Sequence, residues 1–186
     1  MKIFIGALVV LLVLFGVYGL GVYNNLITQN EAVDTQWAQV ETQYQRRFDL
    51  VPGLVEATKA VLTQEQEVFG AIAEARTRYS GAGTVNEKVQ AANELESALA
   101  RLLVIVENYP QLRSTETVQT FMAQYEGAEN RISVERQRFN EAVQGYNLIV
   151  KRFPGSLIAG MFGFGEREFF ESAEGSEEAP EVDFTL

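Results

Sequence analysis

The sequence predicts an all-α protein: an N-terminal transmembrane helix, an antiparallel four-helix bundle with a long fourth helix, and an acidic C-terminal tail. Three observations carry that prediction. Residues 3–22, IFIGALVVLLVLFGVYGLGV, contain no charge. From Leu26 to Phe153 the apolar residues recur at steps of three and four, the rhythm of helices packed on helices. Nothing between residues 24 and 153 alternates with the period of two that a strand requires. The expected divisions are a transmembrane signal-anchor at 1–23, the bundle at 24–153, an apolar glycine-rich segment at 154–165 and the tail at 166–186.

The first element is long enough to cross a bilayer. Twenty helical residues rise ~30 Å, the thickness of the hydrocarbon core. Tyr18 and Tyr23 fall at its far end, where amphipathic rings favour the interface. A cleaved signal peptide would have a shorter apolar region, ~7–15 residues, followed by an A-x-A-like site, and neither is found here. Lys2 precedes the segment, while the first charges after it are Glu31, Asp34 and Glu41. The positive-inside rule then puts the amino terminus in the cytoplasm and the domain outside the inner membrane.

Four helical runs follow. The first uses Leu26, Val33, Trp37, Val40, Tyr44 and Val51, with Asn30 and Arg47 filling gaps in the seam. The second uses Leu54, Val61, Val68, Ile72, Ala75 and Tyr79, with Thr58 and Glu65 in register; the third uses Ala92, Leu95, Leu99, Leu102, Val106 and Tyr109. The fourth and longest runs through Val118, Met122, Tyr125, Ile132, Phe139, Val143, Tyr146, Val150 and Phe153, with Glu129 and Arg136 in the same seam. Ser80–Gly83 separates the second run from the third, since glycine costs a helix interior about 1 kcal/mol against alanine. Pro110 closes the third, Ser114 or Thr115 offers an N-cap to the fourth, and Pro154-Gly155 ends it.

The stretch RRFDLVPGLV, Arg46 to Val55, reads as the corner between the first and second runs. In that reading Arg46 and Arg47 complement the negative end of the first helix, and Asp49 accepts from the exposed N–H groups of the second. Pro52 then sits in a first turn, where its missing N–H has no partner to lose.

Composition removes whole classes of chemistry. The chain has no cysteine and no histidine, hence no disulfide, thiolate nucleophile, Ser-His-Asp triad or His/Cys metal ligand. No catalytic residue and no cofactor is expected, and a ferritin-like dimetal site would need Glu-x-x-His pairs. The net charge of −10 argues against nucleic acid as a partner. Eight acids and one base in residues 166–186 account for −7 of it, so the body is nearly neutral.

Three candidate sites remain. Glu65, Glu129 and Arg136 are seam residues that make either an interior ligand or ion site or an ion pair that fixes register. Trp37 and the tyrosines at 44, 79, 109, 125 and 146 read as core at helical spacing, and Tyr23-Asn24, Tyr146-Asn147 and Asn140 as a hydrogen-bonded layer between helices. The uncharged stretch Ser156–Gly165 is either a loop that closes the end of the bundle core or a second membrane or subunit contact, with Leu157, Ile158, Met161, Phe162 and Phe164 placed beyond a helix long enough to return to the bilayer and Lys151 and Arg152 arriving at the headgroups. In the tail, APEVDF sets Val182 and Phe184 on one side of an extended chain, the arrangement of a docking peptide, the alternative being a merely solubilising tail.

These pieces in order resemble the LemA family of bacterial single-pass membrane proteins. The resemblance is carried by YNNL after the apolar segment, VDTQWAQVETQYQRRFDLVPGLVEATK, AEAR, NYPQLRSTE, EGAENRISVERQRFNEAVQGYNLIVKRFP, FGFGEREFFE and APEVDF. Gly53 stands where the family usually has asparagine, and Gln64 where a histidine is common. The resemblance implies a helical domain on a membrane anchor and no established reaction; some relatives belong to specialised membrane compartments such as magnetosomes.

The expected function is a non-enzymatic scaffold or adaptor of the cell envelope. Its expected partners are the lipid bilayer, other membrane or envelope proteins and further copies of itself. The alternative is a sensory bundle with a ligand cavity of several hundred Å³, lined by Glu65, Glu129 and Arg136.

Overall fold

The computed structural model describes residues 2–59, 61, 62 and 65–170. Among them there is no strand, and six helices follow in order: α1 (Lys2–Lys59), α2 (Gln66–Gly81), α3 (Val85–Glu107), α4 (Pro110–Arg113), α5 (Glu116–Lys151) and α6 (Gly155–Phe162). Their contacts divide the described residues into two compact units, one of 2–41 with 133–170 and one of 42–132.

The expected corner at Arg46–Val55 is absent. α1 is one helix of 58 residues, about 87 Å of continuous rise, with Pro52 inside it. An interior proline costs a helix about 3 kcal/mol. Phe48, Val51 and Leu54, all buried, continue the seam across it, and each contributes about 1.5–3 kcal/mol by leaving water. Seam burial outweighs the proline. The chain leaves α1 only after Lys59, where Val61 and Leu62 both donate to the Thr58 carbonyl. Leu54 and Thr58 therefore belong to α1, whereas Val61, expected in a seam, is 44% exposed in the following turn. Asp49 caps nothing; on the α1 surface it accepts from Gln45, one turn earlier, at 2.8 Å.

In the first unit α1 presents buried Leu26, Val33 and Val40, seven residues apart, and α5 answers with Phe139, Val143 and Tyr146. Trp37 meets Phe139 edge-on at 5.7 Å, and Gln36 donates to Glu135 at 2.7 Å. α6 adds Ile158 and Ala159 to this core. Gly155 opens α6 as a requirement of space, because a Cβ there would collide with the Ile149 carbonyl. Gly163 closes it at φ 76°, the left-handed region that glycine enters without penalty.

The second unit is built on Tyr44, Phe48, Val51 and Leu54 of α1, with Ile72, Ala75 and Tyr79 of α2 and Leu95, Leu99 and Leu102 of α3. α3 starts with a capping box: Thr84 Oγ1 accepts from the Glu87 N–H at 3.3 Å, and the Glu87 carboxylate accepts from the Thr84 N–H at 3.0 Å. Such caps contribute about 1 kcal/mol. Hydrogen bonds from the Gly83 and Thr84 amides hold the Glu87 carboxyl below its ordinary range. Pro110 opens α4, since α3 already ends at Glu107, and Thr115 caps α5 by accepting from the Val118 N–H at 3.4 Å. The α5 seam runs through Phe121 and Ala128, one residue before the expected Met122 and Glu129; Met122 is 41% exposed. A stagger of three and then four replaces one of four and then three, and both fit the same apolar spacing.

Candidate functional site

The apolar amino-terminal part of α1 is long enough to cross a membrane, with mean hydropathy 2.6 over its best window and none of that window buried. Phe4, Leu8, Leu11, Leu14, Val17 and Leu20 are all more than half exposed. At the end of this run α6 lies against it. Ile158, 9% exposed, approaches Gly19, and the rings of Phe162 and Phe164 stand 4.6 and 6.0 Å from the ring of Tyr23. The outer face of α6 is bare: Leu157 is 48% exposed and Met161 70%, and Phe162 keeps 57% of its surface despite the Tyr23 contact.

Beyond Gly163 the chain runs without regular structure along α5 and is held through its main chain. Asn147 accepts from the Arg167 N–H at 2.9 Å and donates to the Arg167 carbonyl at 2.8 Å. Seven residues earlier Asn140 does the same for Phe170, at 2.7 and 3.1 Å. Each amide side chain satisfies one residue's donor and acceptor, as a neighbouring strand would. Tyr146 donates to the Gly165 carbonyl at 2.9 Å. The Arg167 side chain crosses to α1, donating to Asn30 at 3.2 Å and Asp34 at 2.7 Å, and Arg136 stacks its guanidinium on Phe170 at 4.4 Å. Asn140 and Tyr146-Asn147 were expected to tie helix to helix; they tie α5 to this strap.

The second unit holds a buried ion cluster. Arg47 has no exposed surface. It donates to Glu129 at 2.6 Å, to Glu96 at 3.3 Å and to the Ala92 carbonyl at 2.8 Å, and its guanidinium lies 5.4 Å from the Tyr44 ring. Burial by itself would depress the Arg47 pKa, but the Glu129 and Glu96 carboxylates outweigh it and hold the group above its ordinary value. Burial, reinforced by Glu129 and opposed by Arg47, pushes the Tyr125 phenol up to about 12. This overturns the placement of Arg47 at a helix end.

Of the expected interior trio, only Glu129 joins this cluster. Glu65 sits at the N-cap position of α2 with no capping hydrogen bond from its side chain, and Arg136 belongs to the Phe170 strap. Sequence reasoning missed Arg47 as an ion-pair centre, although its seam register between Tyr44 and Val51 was the signal. Glu96 and Tyr125 gave no comparable polar signal. Val182 and Phe184 lie outside the described residues. No group of three acidic side chains among the described residues is arranged to hold a metal ion. An open cleft of about 360 Å³ is lined by Leu50, Leu54, Thr117, Thr120, Phe121 and Gln124, among others, and by none of Glu65, Glu129 and Arg136.

The fold and these contacts define a class: an all-helical protein whose first helix joins a bilayer-length apolar segment to a packed domain. The model of the LemA family matches residues 36–184, and the chain belongs to that family. It is similar to the magnetosome proteins MamQ 2 and MamQ 1 of Paramagnetospirillum magneticum, each 26% identical over 175 residues, covering 80% of this chain and 64% of the relative. Magnetosome protein MamQ of Magnetospirillum gryphiswaldense is likewise 26% identical over 174 residues, with the same coverage. The chain thus spans less than two thirds of the length of these relatives.

Proposed function

We propose that this protein is a non-enzymatic, membrane-anchored scaffold of the bacterial envelope, with residues 3–22 in the inner membrane, the amino terminus in the cytoplasm and the domain outside. The observation that carries the reading is the continuity of α1, whose bilayer-length apolar run passes into the packed helix with no hinge or linker. A tether for a diffusing enzyme is ordinarily flexible, whereas here the apolar run continues as one helix into the packed face of the first unit. The domain is an antiparallel four-helix bundle of α1, α2, α3 and α5. Supporting that arrangement, α1 partners fall in number as α5 partners rise, from Gln36 with Glu135 to Gln29 beside Gly145. The magnetosome names of its relatives support work at a membrane compartment.

Two experiments on the full chain in native membranes test this. Alkaline carbonate washing should leave the protein in the membrane pellet, and release into the wash would sink the anchor. A photocrosslinking residue at Val104, 60% exposed on α3, should capture a reproducible envelope protein or a second copy. A purified chain that turns over a substrate, and loses that turnover on a single substitution, would overturn the scaffold reading.

A further inference from the structure

We propose that α6 is an interfacial membrane helix, lying at headgroup depth beside the end of the span, so that the protein grips the bilayer at two points. This rests on α1 being the span, and it adds a second contact formed by a different part of the chain.

The argument begins with height. Ile158 approaches Gly19, and Phe162 and Phe164 meet Tyr23, so α6 is level with the last turn of the apolar run. From Gly19 to Val22 α1 rises only ~4.5 Å. A helix pinned there cannot stand clear of a bilayer that α1 spans.

Its chemistry suits that depth. The eight residues GSLIAGMF carry no charge. Ile158 and Ala159 face the protein, Leu157 and Met161 face away, Phe162 packs on Tyr23 yet stays 57% exposed, and Phe153 just before the helix is 79% exposed. A soluble protein leaves so dense an apolar patch bare only where something covers it. Charge resumes on both sides of the helix. Lys151 and exposed Arg152 precede α6, and Lys151 pairs with Glu166 beyond it at 2.8 Å. The Asn147–Arg167 clamp and the Arg167–Asp34 ion pair then lead the following chain along the water-facing part of α1 and α5. Lipid is the occupant that continuity with the span selects.

Depth-resolved fluorescence of the full chain reconstituted in phospholipid vesicles tests the inference. The only tryptophan, Trp37, is first changed to phenylalanine, which preserves an aromatic contact with Phe139. Single tryptophans then replace exposed residues: Leu11→Trp in the span, Met161→Trp on α6 and Val104→Trp on α3. Vesicles carry lipids brominated either near the headgroup end or near the methyl end of the acyl chain.

The α6 probe should be quenched several-fold more by shallow than by deep bromine, the span probe by deep bromine, and the α3 probe by neither. Far-UV circular dichroism establishes that each variant is folded. If the span probe is quenched and the α6 probe behaves like the α3 probe, α6 is covered by protein or water, and the inference fails with the anchor intact. If the span probe is also unquenched, the anchor itself fails and takes the inference with it.

Discussion

Arg47 is a cation with no exposed surface, held by two carboxylates that keep part of theirs, 28% of the Glu129 side chain and 43% of Glu96. That asymmetry sets the energetics. Removing one partner of a buried pair strands the other and costs about 3–5 kcal/mol, whereas replacing both by apolar groups of similar volume is often neutral. Arg47→Ala should therefore cost about 3 kcal/mol, at the low end because the stranded carboxylates regain water. Arg47→Met with Glu129→Leu should recover most of it, as measured by urea midpoints of the detergent-solubilised chain. Tyr125, beside this cluster, gives an alkaline signature. The unfolded phenol releases its proton near 10, while the folded one keeps it up to about 12. The folded state thus binds more protons in that window, and stability falls as pH rises through it. Tyr125→Phe should flatten the decline between pH values of about 10 and 12, and an unchanged slope would contradict the placement.

At the scale of elements, α1 is decided by a contest between local chemistry and packing. Pro52 cannot donate to the residue one turn earlier, and Gly53 beside it adds about 1 kcal/mol of helix-breaking tendency. The helix persists because its buried face, Tyr44, Arg47, Val51, Leu54 and Thr58, keeps a three- and four-residue stagger across the weak point. Pro52 is exposed and contributes nothing to that face. Pro52→Ala should accordingly raise stability, by up to about 3 kcal/mol, with the melting temperature rising and helix content unchanged. A lower melting temperature would mean that the proline supports a bend the core requires.

At the scale of the whole molecule, polar interactions are placed where the chain lacks regular structure. The Gly163 and Phe164 amides close α6 on the Ala159 carbonyl, and from Gly165 to Phe170 the strap is held by the α5 side chains Asn140, Tyr146 and Asn147. The Arg167 and Phe170 amides, each donating to an asparagine oxygen, should exchange slowly with deuterium, whereas amides in unpartnered coil exchange quickly. Asn147→Ala should release the protection at Arg167 and leave α3 amides in the other unit unchanged. Uniform loss of protection across both units would show that the strap is part of the global core instead.

The sequence by itself determined the helical class, the bilayer-length segment, the family and most of the buried face of α1. Leu26, Val33, Val40, Tyr44 and Val51 are all buried as their spacing requires, because a 3.6-residue period fixes which side chains share a face. The break between α2 and α3, which falls at Ala82–Thr84 near the end of the expected Ser80–Gly83, and the cap at Thr115 were legible for a similar reason, since both are local backbone chemistry. Three things were decided only by tertiary structure. The proline of RRFDLVPGLV signals a break in every local rule, and only the burial available on both sides of it overrules that signal. Arg47 reads as a helix-end cation until Glu129, 82 residues away, is brought beside it. Asn140 and Asn147 look like interhelical amides, yet their partners are backbone groups of a strap whose course no periodicity encodes. In each case the deciding energy lies in contacts between residues far apart in the chain, and a local pattern cannot report which surface it will meet.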